Sequence, residues 1–123
     1  MLDKADIEKI EKIHKDFMYV NESFTSRNSK TYDSYLRLSS HAMRDGNLSK
    51  MYKELIALGI SAYVNCEPCI VWHIREALDS GANDEQVVEA IEVATEMGGG
   101  PVVARSSLAF KVLEYLKNKK KGG

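Results

Sequence analysis

A chain of 123 residues with a 44% hydrophobic share has the size and apolar content of one domain with its own core, so folding needs no disulfide framework or structural metal. A formal net charge of −1 gives no basis for a nucleic-acid or anionic-membrane partner. No stretch approaches the roughly 18 uncharged apolar residues of a membrane span, and Met1 to Lys15 lacks the apolar block of a signal peptide, so a cytoplasmic protein is expected.

The pattern is helical nearly throughout. Ile7, Ile10, His14 and Phe17 recur at helical spacing in a first amphipathic segment. The polar stretch Asn21 to Ser29 separates it from a second, which carries Tyr32, Tyr35, Leu36, Ser39 and Met43. Asp45-Gly46-Asn47 is a turn, and Ser49 suits the N-cap of a third helix. There Leu55 to Ile60 is apolar almost all round, which predicts burial on most sides. The fourth helix starts near the cysteines, carries Ile70, Val71, Ile74 and Leu78, and stops at Gly81. Asn83 with Gln86 resembles a capping box for the fifth, whose inner face holds Val87, Val88, Ile91 and Ala94.

Gly98-Gly99-Gly100-Pro101 breaks the chain, and Pro101 suits the first position of a last helix with Ala109, Val112, Leu113 and Leu116 on one face. The glycine triplet has no preceding strand and no Lys-Ser/Thr, so it reads as a tight turn between closely packed helices and not as a phosphate cradle. Lys119-Lys120-Lys121 reads as a solvated tail. No period-2 run is long enough for a sheet. The expected fold is all-α: about six helices packed as antiparallel neighbours in one compact domain over residues 1–123.

Chemistry concentrates at Cys66-Glu67-Pro68-Cys69, which holds both cysteines of the chain. In a compartment that keeps structural thiols reduced, that placement favours redox chemistry or metal binding over a structural cross-link. At a helix start both thiols lie on one side of the first turn, where unpaired N–H groups and the positive dipole end stabilise a thiolate. Pro68 needs no intrahelical donor so early in a helix. His73 follows Cys69 by four residues, one turn on, where an imidazole can take the Cys69 proton directly or through a water. Glu54 precedes Cys66 by twelve residues on the helix entering the turn. With the two helices antiparallel, Glu54 lies roughly 16 Å back along one axis and His73 roughly 10 Å along the other, an offset that two side chains or a water can bridge. A carboxylate among Leu55, Ile56 and Leu58 is partly buried and needs such a partner.

Blander readings stand beside this one. The cysteines can be small core residues. Cys66, Cys69 and His73 can hold zinc with a fourth ligand from Glu54, His14 or His41, making the chain a metal-binding or redox-sensing helical module. Trp72 and the methionines read as core packing. A thioredoxin fold, the usual setting of Cys-x-Pro-Cys, requires a strand before the motif, and Lys50 to Val64 is helical instead.

Glu54, eleven intervening residues, Cys66-x-x-Cys69 and then His73 after three more resemble the signature of the alkylhydroperoxidase-D-like proteins of the carboxymuconolactone decarboxylase superfamily. Gly98-Gly99-Gly100-Pro101-Val102-Val103-Ala104 is similar to that superfamily's turn into its last core helix, and the resemblance spans about Ser34 to Leu116. It implies an all-α fold assembled as trimers or hexamers. It also implies a thiol-dependent peroxidase or disulfide oxidoreductase without organic or metal cofactor, acting on a hydroperoxide or disulfide and recycled by an external dithiol. By position, Cys69 becomes the attacking thiolate, Cys66 the resolving thiol, and Glu54 with His73 the proton relay. Helix-end electrostatics alone favour Cys66 as the more acidic thiol. Peroxidase members often carry a second His immediately before the second Cys, where this chain has Pro68, so the relay here is shorter. The decarboxylase branch, an alternative from the same superfamily, lacks the cysteine pair.

Overall fold

The computed structural model describes residues 1–122. Among them seven helices follow one another: α1 (Lys4–Ser26), α2 (Lys30–Ala42), α3 (Lys50–Val64), α4 (Glu67–Asp79), α5 (Asp84–Gly98), α6 (Gly100–Arg105) and α7 (Ser107–Gly122). Most starts are set by side-chain caps. Asp3 and Asp6 exchange hydrogen bonds at the head of α1, Ser29 Oγ accepts from Tyr32 N–H, and Ser49 Oγ accepts from Tyr52 N–H. The expected Asn83–Gln86 capping box is present, both bonds at 2.9 Å.

α3 is the central element. It forms a helical hairpin with α4 and packs along α5 on another side, while α7 and the first half of α1 close over α4. The main core joins Ile10, Leu58, Ile70, Val71, Ile74, Val87, Ile91, Ala109 and Val112, drawn from the faces the helical spacing indicates. No described helix is long and apolar enough to cross a membrane.

Three expectations need correction. First, α1 continues through most of the polar stretch Asn21 to Ser29 and ends only at Arg27, next to Asn28 at φ 54°. Polarity there marks contact with α2 and solvent instead of a break: Tyr32 O–H donates to Asn21 Oδ1 at 2.8 Å, and Phe24 stacks on Tyr32.

Second, the last predicted helix is two. Ser106 Oγ donates to the Val102 carbonyl at 2.7 Å, and its backbone N–H bonds Val103, so the α-helical ladder is interrupted at this residue. The break lets Val102 join Ala62 and Ala94 in a small satellite cluster while Ala109 and Val112 enter the main core. The glycine turn before it is tight as expected. A Cβ on Gly98 would come within 2.2 Å of Val102 Cγ2, and Gly99 has φ 68°.

Third, α3 is not covered on most sides. Leu58 is buried, but Ile56 is 51% and Ile60 60% exposed, and Met97 on α5, expected in the core, is 69% exposed. With Tyr52, Tyr63 and Val93 they line an apolar groove of about 820 Å³ between α3 and α5. α2 buries no residue at all, although Tyr35 and Leu36 lie on its apolar face.

Apolar surface on this scale is seldom left to water, and closed symmetry between copies is the usual way to cover it. Light scattering at micromolar concentration should give a mass of three or more chains, and Ile56→Asp should lower it. A monomer mass for the parent chain would count directly against assembly.

Candidate functional site around the cysteine pair

The site is built on the α3–α4 connection, two residues long, of which the first, Asn65, is left-handed and the second is Cys66. Asn65 sits at φ 59°, ψ 48°, and Cys66 N–H reaches back to the Ser61 carbonyl at 3.1 Å. Asparagine tolerates this conformation better than other residues with a Cβ, because its short polar side chain bonds locally. The tight turn delivers Cys66 to the N-cap of α4, where its Sγ accepts from Cys69 N–H at 3.3 Å. Glu67 and Pro68 fill the first turn, and Lys9 from α1 pairs with Glu67 at 3.2 Å.

Cys66 and Cys69 are joined by a disulfide, with Cα atoms 5.2 Å apart. Both cysteines are half-buried, and Pro68 between them is exposed. His73 lies one turn after Cys69 on α4. Its Nδ1 is 2.7 Å from Glu54 Oε1, a direct contact across the hairpin where the helix geometry left room for a water. An ionised carboxylate can only accept, so Nδ1 carries the proton and Nε2 is the ring's basic nitrogen.

Glu54 is the most deeply placed member, its side chain 3% exposed. Its second oxygen accepts from Lys50 Nζ at 2.5 Å, and that ammonium is also 3.8 Å from Glu76 Oε1. Burial pushes the Glu54 carboxyl up, but the hydrogen bonds from His73 and Lys50, with the Lys50 charge, outweigh it and hold the group below the ordinary carboxylate range. Burial likewise pushes Lys50 down, and the Glu54 bond with the charges of Glu54, Glu76 and Asp45 outweighs it, holding the ammonium above its ordinary value.

All four residues singled out from the sequence therefore belong to one hairpin. Lys50 was missed, although its spacing of four from Glu54 was legible on a predicted helix. His14 and His41, the alternative zinc ligands, lie elsewhere: His14 is half-buried on α1 near the charges of Arg75 and Lys119, and His41 is exposed near the end of α2. Among the described residues no three His, Cys, Asp or Glu side chains are grouped to hold a metal ion.

Residues 29–112 match the sequence profile of the Carboxymuconolactone decarboxylase family. Over 84 residues the chain is 40% identical to a protein of Paracoccus denitrificans described as uncharacterized protein 4 in cox locus, covering 68% of this chain and 76% of that one. A carboxymuconolactone decarboxylase family protein of Legionella pneumophila superposes with a TM-score of 0.83 at 29% identity, over 88% of this chain and 96% of its own. A Thermotoga maritima member, whose description raises a role in the antioxidative response, superposes at 0.82 and 31% identity, over 91% of this chain and 95% of its own.

The Glu54 environment fixes the sign of one pH effect. A carboxyl held low in the folded state takes up more protons when unfolded, so its contribution is present above the ordinary glutamate pKa and is lost as pH falls through the depressed folded value. Urea unfolding of the reduced protein between pH 7 and 3 should show stability declining toward acid, with a shallower decline for Glu54→Gln. Parallel slopes would show that Glu54 is not held low.

Proposed function

Because the chain belongs to the carboxymuconolactone decarboxylase family, we propose that it is a thiol-dependent oxidoreductase, working as a peroxidase or disulfide reductase through Cys66 and Cys69. The observation that carries this reading is the Cys66–Cys69 disulfide one helical turn from His73, whose Nδ1 is bonded to Glu54. That arrangement supplies an electron-pair store, a base to ionise a thiol and a group to orient the base. The antioxidative context raised for the Thermotoga maritima relative agrees with it.

In the reduced protein His73 Nε2 takes the Cys69 proton, and Glu54 balances the imidazolium charge. The Cys69 thiolate attacks one oxygen of a hydroperoxide: an S–O bond forms, the O–O bond breaks, and the departing alkoxide takes the proton from His73. Sulfur is oxidised by two electrons to a sulfenic acid and the peroxide is reduced to an alcohol. The Cys66 sulfur then displaces water from the sulfenic acid, giving the disulfide. An external dithiol reduces it by exchange and leaves as a disulfide itself. With a disulfide substrate the same thiolate starts exchange directly, and no sulfenic acid forms.

The two cysteines are activated by different means. Cys66, as N-cap, draws on the helix end, whereas Cys69 has His73 one turn away. That division favours Cys69 as attacking sulfur and Cys66 as resolving sulfur, the better leaving thiolate on reduction. Pro68 adds no titratable group between them.

Two measurements test the reading. A brief dose of alkyl hydroperoxide on the reduced protein should remove two hydrogens of mass and block both thiols to alkylation, with dithiothreitol reversing both. Stoichiometric tightly bound zinc with no disulfide forming would sink it. In a Cys66→Ser background, His73→Ala should slow Cys69 alkylation near pH 7 by roughly ten- to a thousandfold. The deficit should shrink above about pH 9, where a thiol ionises unaided. A parent rate for His73→Ala across pH 5–10 would return His73 to a structural role.

A further inference from the structure

The site leaves one strongly placed residue without a task. Lys50 sits in the first turn of α3, where the helix presents unpaired N–H groups and a positive dipole end that disfavour a cation. It also precedes its acidic partner by four residues, the less favourable order for an acid–base pair along a helix. Asp45 Oδ1 accepts the Lys50 backbone N–H at 2.7 Å, which eases but does not reverse that conflict. Helix energetics thus give no reason for a lysine here. Its side chain is nevertheless only 38% exposed, with the ammonium turned onto two carboxylates, Glu54 on its own helix and Glu76 on α4.

The chemistry of a buried carboxyl beside an imidazole supplies the reason. Glu54 has two oxygens and two charged or polar partners, one for each. If Lys50 is removed, the carboxylate keeps a single neutral donor in a site that solvent scarcely reaches, and burial then favours the protonated acid. A protonated Glu54 is a donor. It can give its hydrogen bond to His73 Nδ1, which moves the ring proton to Nε2, and an Nε2 that already carries a proton cannot accept one from Cys69.

We propose that Lys50 is a positioning residue that fixes the tautomer of His73: by occupying Glu54 Oε2 it keeps the carboxylate ionised, with Oε1 committed to the Nδ1–H. This rests on the reading of His73 as the base for Cys69. The titratable groups facing Glu54 are Lys50 on α3 and His73 from α4, while Glu76 from α4 and Asp45 from the segment before α3 add their charges at Lys50. A mere clamp between α3 and α4 would stabilise the hairpin without setting the protonation pattern, and the two roles separate by their pH dependence.

The experiment uses the full reduced chain in a Cys66→Ser background, with Lys50→Met, Lys50→Arg, Glu54→Gln and His73→Ala added singly. Cys69 alkylation by iodoacetamide is followed by stopped flow from pH 5.5 to 9.5, and the ring nitrogens of His73 are followed by NMR on ¹⁵N-labelled protein. Lys50→Met should react roughly ten- to thirtyfold slower near pH 6.5. Its deficit should close by about pH 8, because Glu54 can still ionise as pH rises, whereas the Glu54→Gln deficit persists until the thiol ionises by itself near 8.5. Lys50→Arg should stay within about twofold of the parent, since a guanidinium also fills the second oxygen. On acidification, the neutral His73 ring should switch from the Nδ1–H to the Nε2–H form in Lys50→Met only.

A parent rate and unchanged tautomer in Lys50→Met would overturn the proposal, as would a deficit of constant size at every pH. If His73→Ala alone reacts at the parent rate, the base reading fails, and the ring-nitrogen spectra still decide whether Lys50 sets the tautomer. Should Lys50→Met fail to fold by circular dichroism, Lys50→Gln carries the same expectation with a side chain closer to the hairpin's polarity.

Discussion

A carboxylate with 3% of its side chain exposed, lodged between two helices, is the constraint around which this site is arranged. Removing such a charge from water costs several kcal/mol, and a buried ion pair on average repays that cost without much profit. Leu58 fills the same helix interior with no electrostatic penalty. Stability therefore does not account for Glu54, whereas the proposed relay gives it a use. Once it is there, the hairpin must bring a donor to each oxygen, which fixes His73 on one side and Lys50 on the other. The histidine in turn lies one turn from Cys69, so the buried acid positions the ring that neighbours the cysteine pair along α4.

The turn that closes the hairpin works in the same direction. Because only Asn65 and Cys66 lie between α3 and α4, the cysteine pair starts at the cap of α4 and the disulfide lies on its first turn. A longer connection would separate the helix end from the partner helix and loosen the contact between Glu54 and His73. The positive end of α4, the compact disulfide and the carboxylate-bound histidine are consequences of one local geometry, and the proposed reaction uses all three.

The outer faces follow a different logic. α3 is apolar on nearly every side, yet in a single chain only the side toward Leu58 is filled, and the opposite side opens as a groove against α5. α2 is amphipathic with nothing to bury itself in beyond its stacking on α1. The pattern asks for more burial than one chain provides, and these are the faces that the expected assembly of several chains would cover.

Much of this was legible from residue order. Spacing, caps and turn residues located the first five helices and read the last two as one, and Ser49, Gly81 and the Asn83–Gln86 box act where the pattern puts them. The separation of Glu54, Cys66, Cys69 and His73 defined the site because helical geometry converts those intervals into distances within a single hairpin. Three features were decided only by tertiary structure. The stretch from Asn21 to Ser26 is helical because it meets Tyr32 of α2, a contact that local polarity does not encode. The last helix breaks at Ser106 because a hydroxyl bonds back to Val102 while two separate clusters draw the chain to either side. Lys50 belongs to the site because a buried carboxylate has a second oxygen to satisfy, and burial is a property of the packed helices that no interval along the chain records.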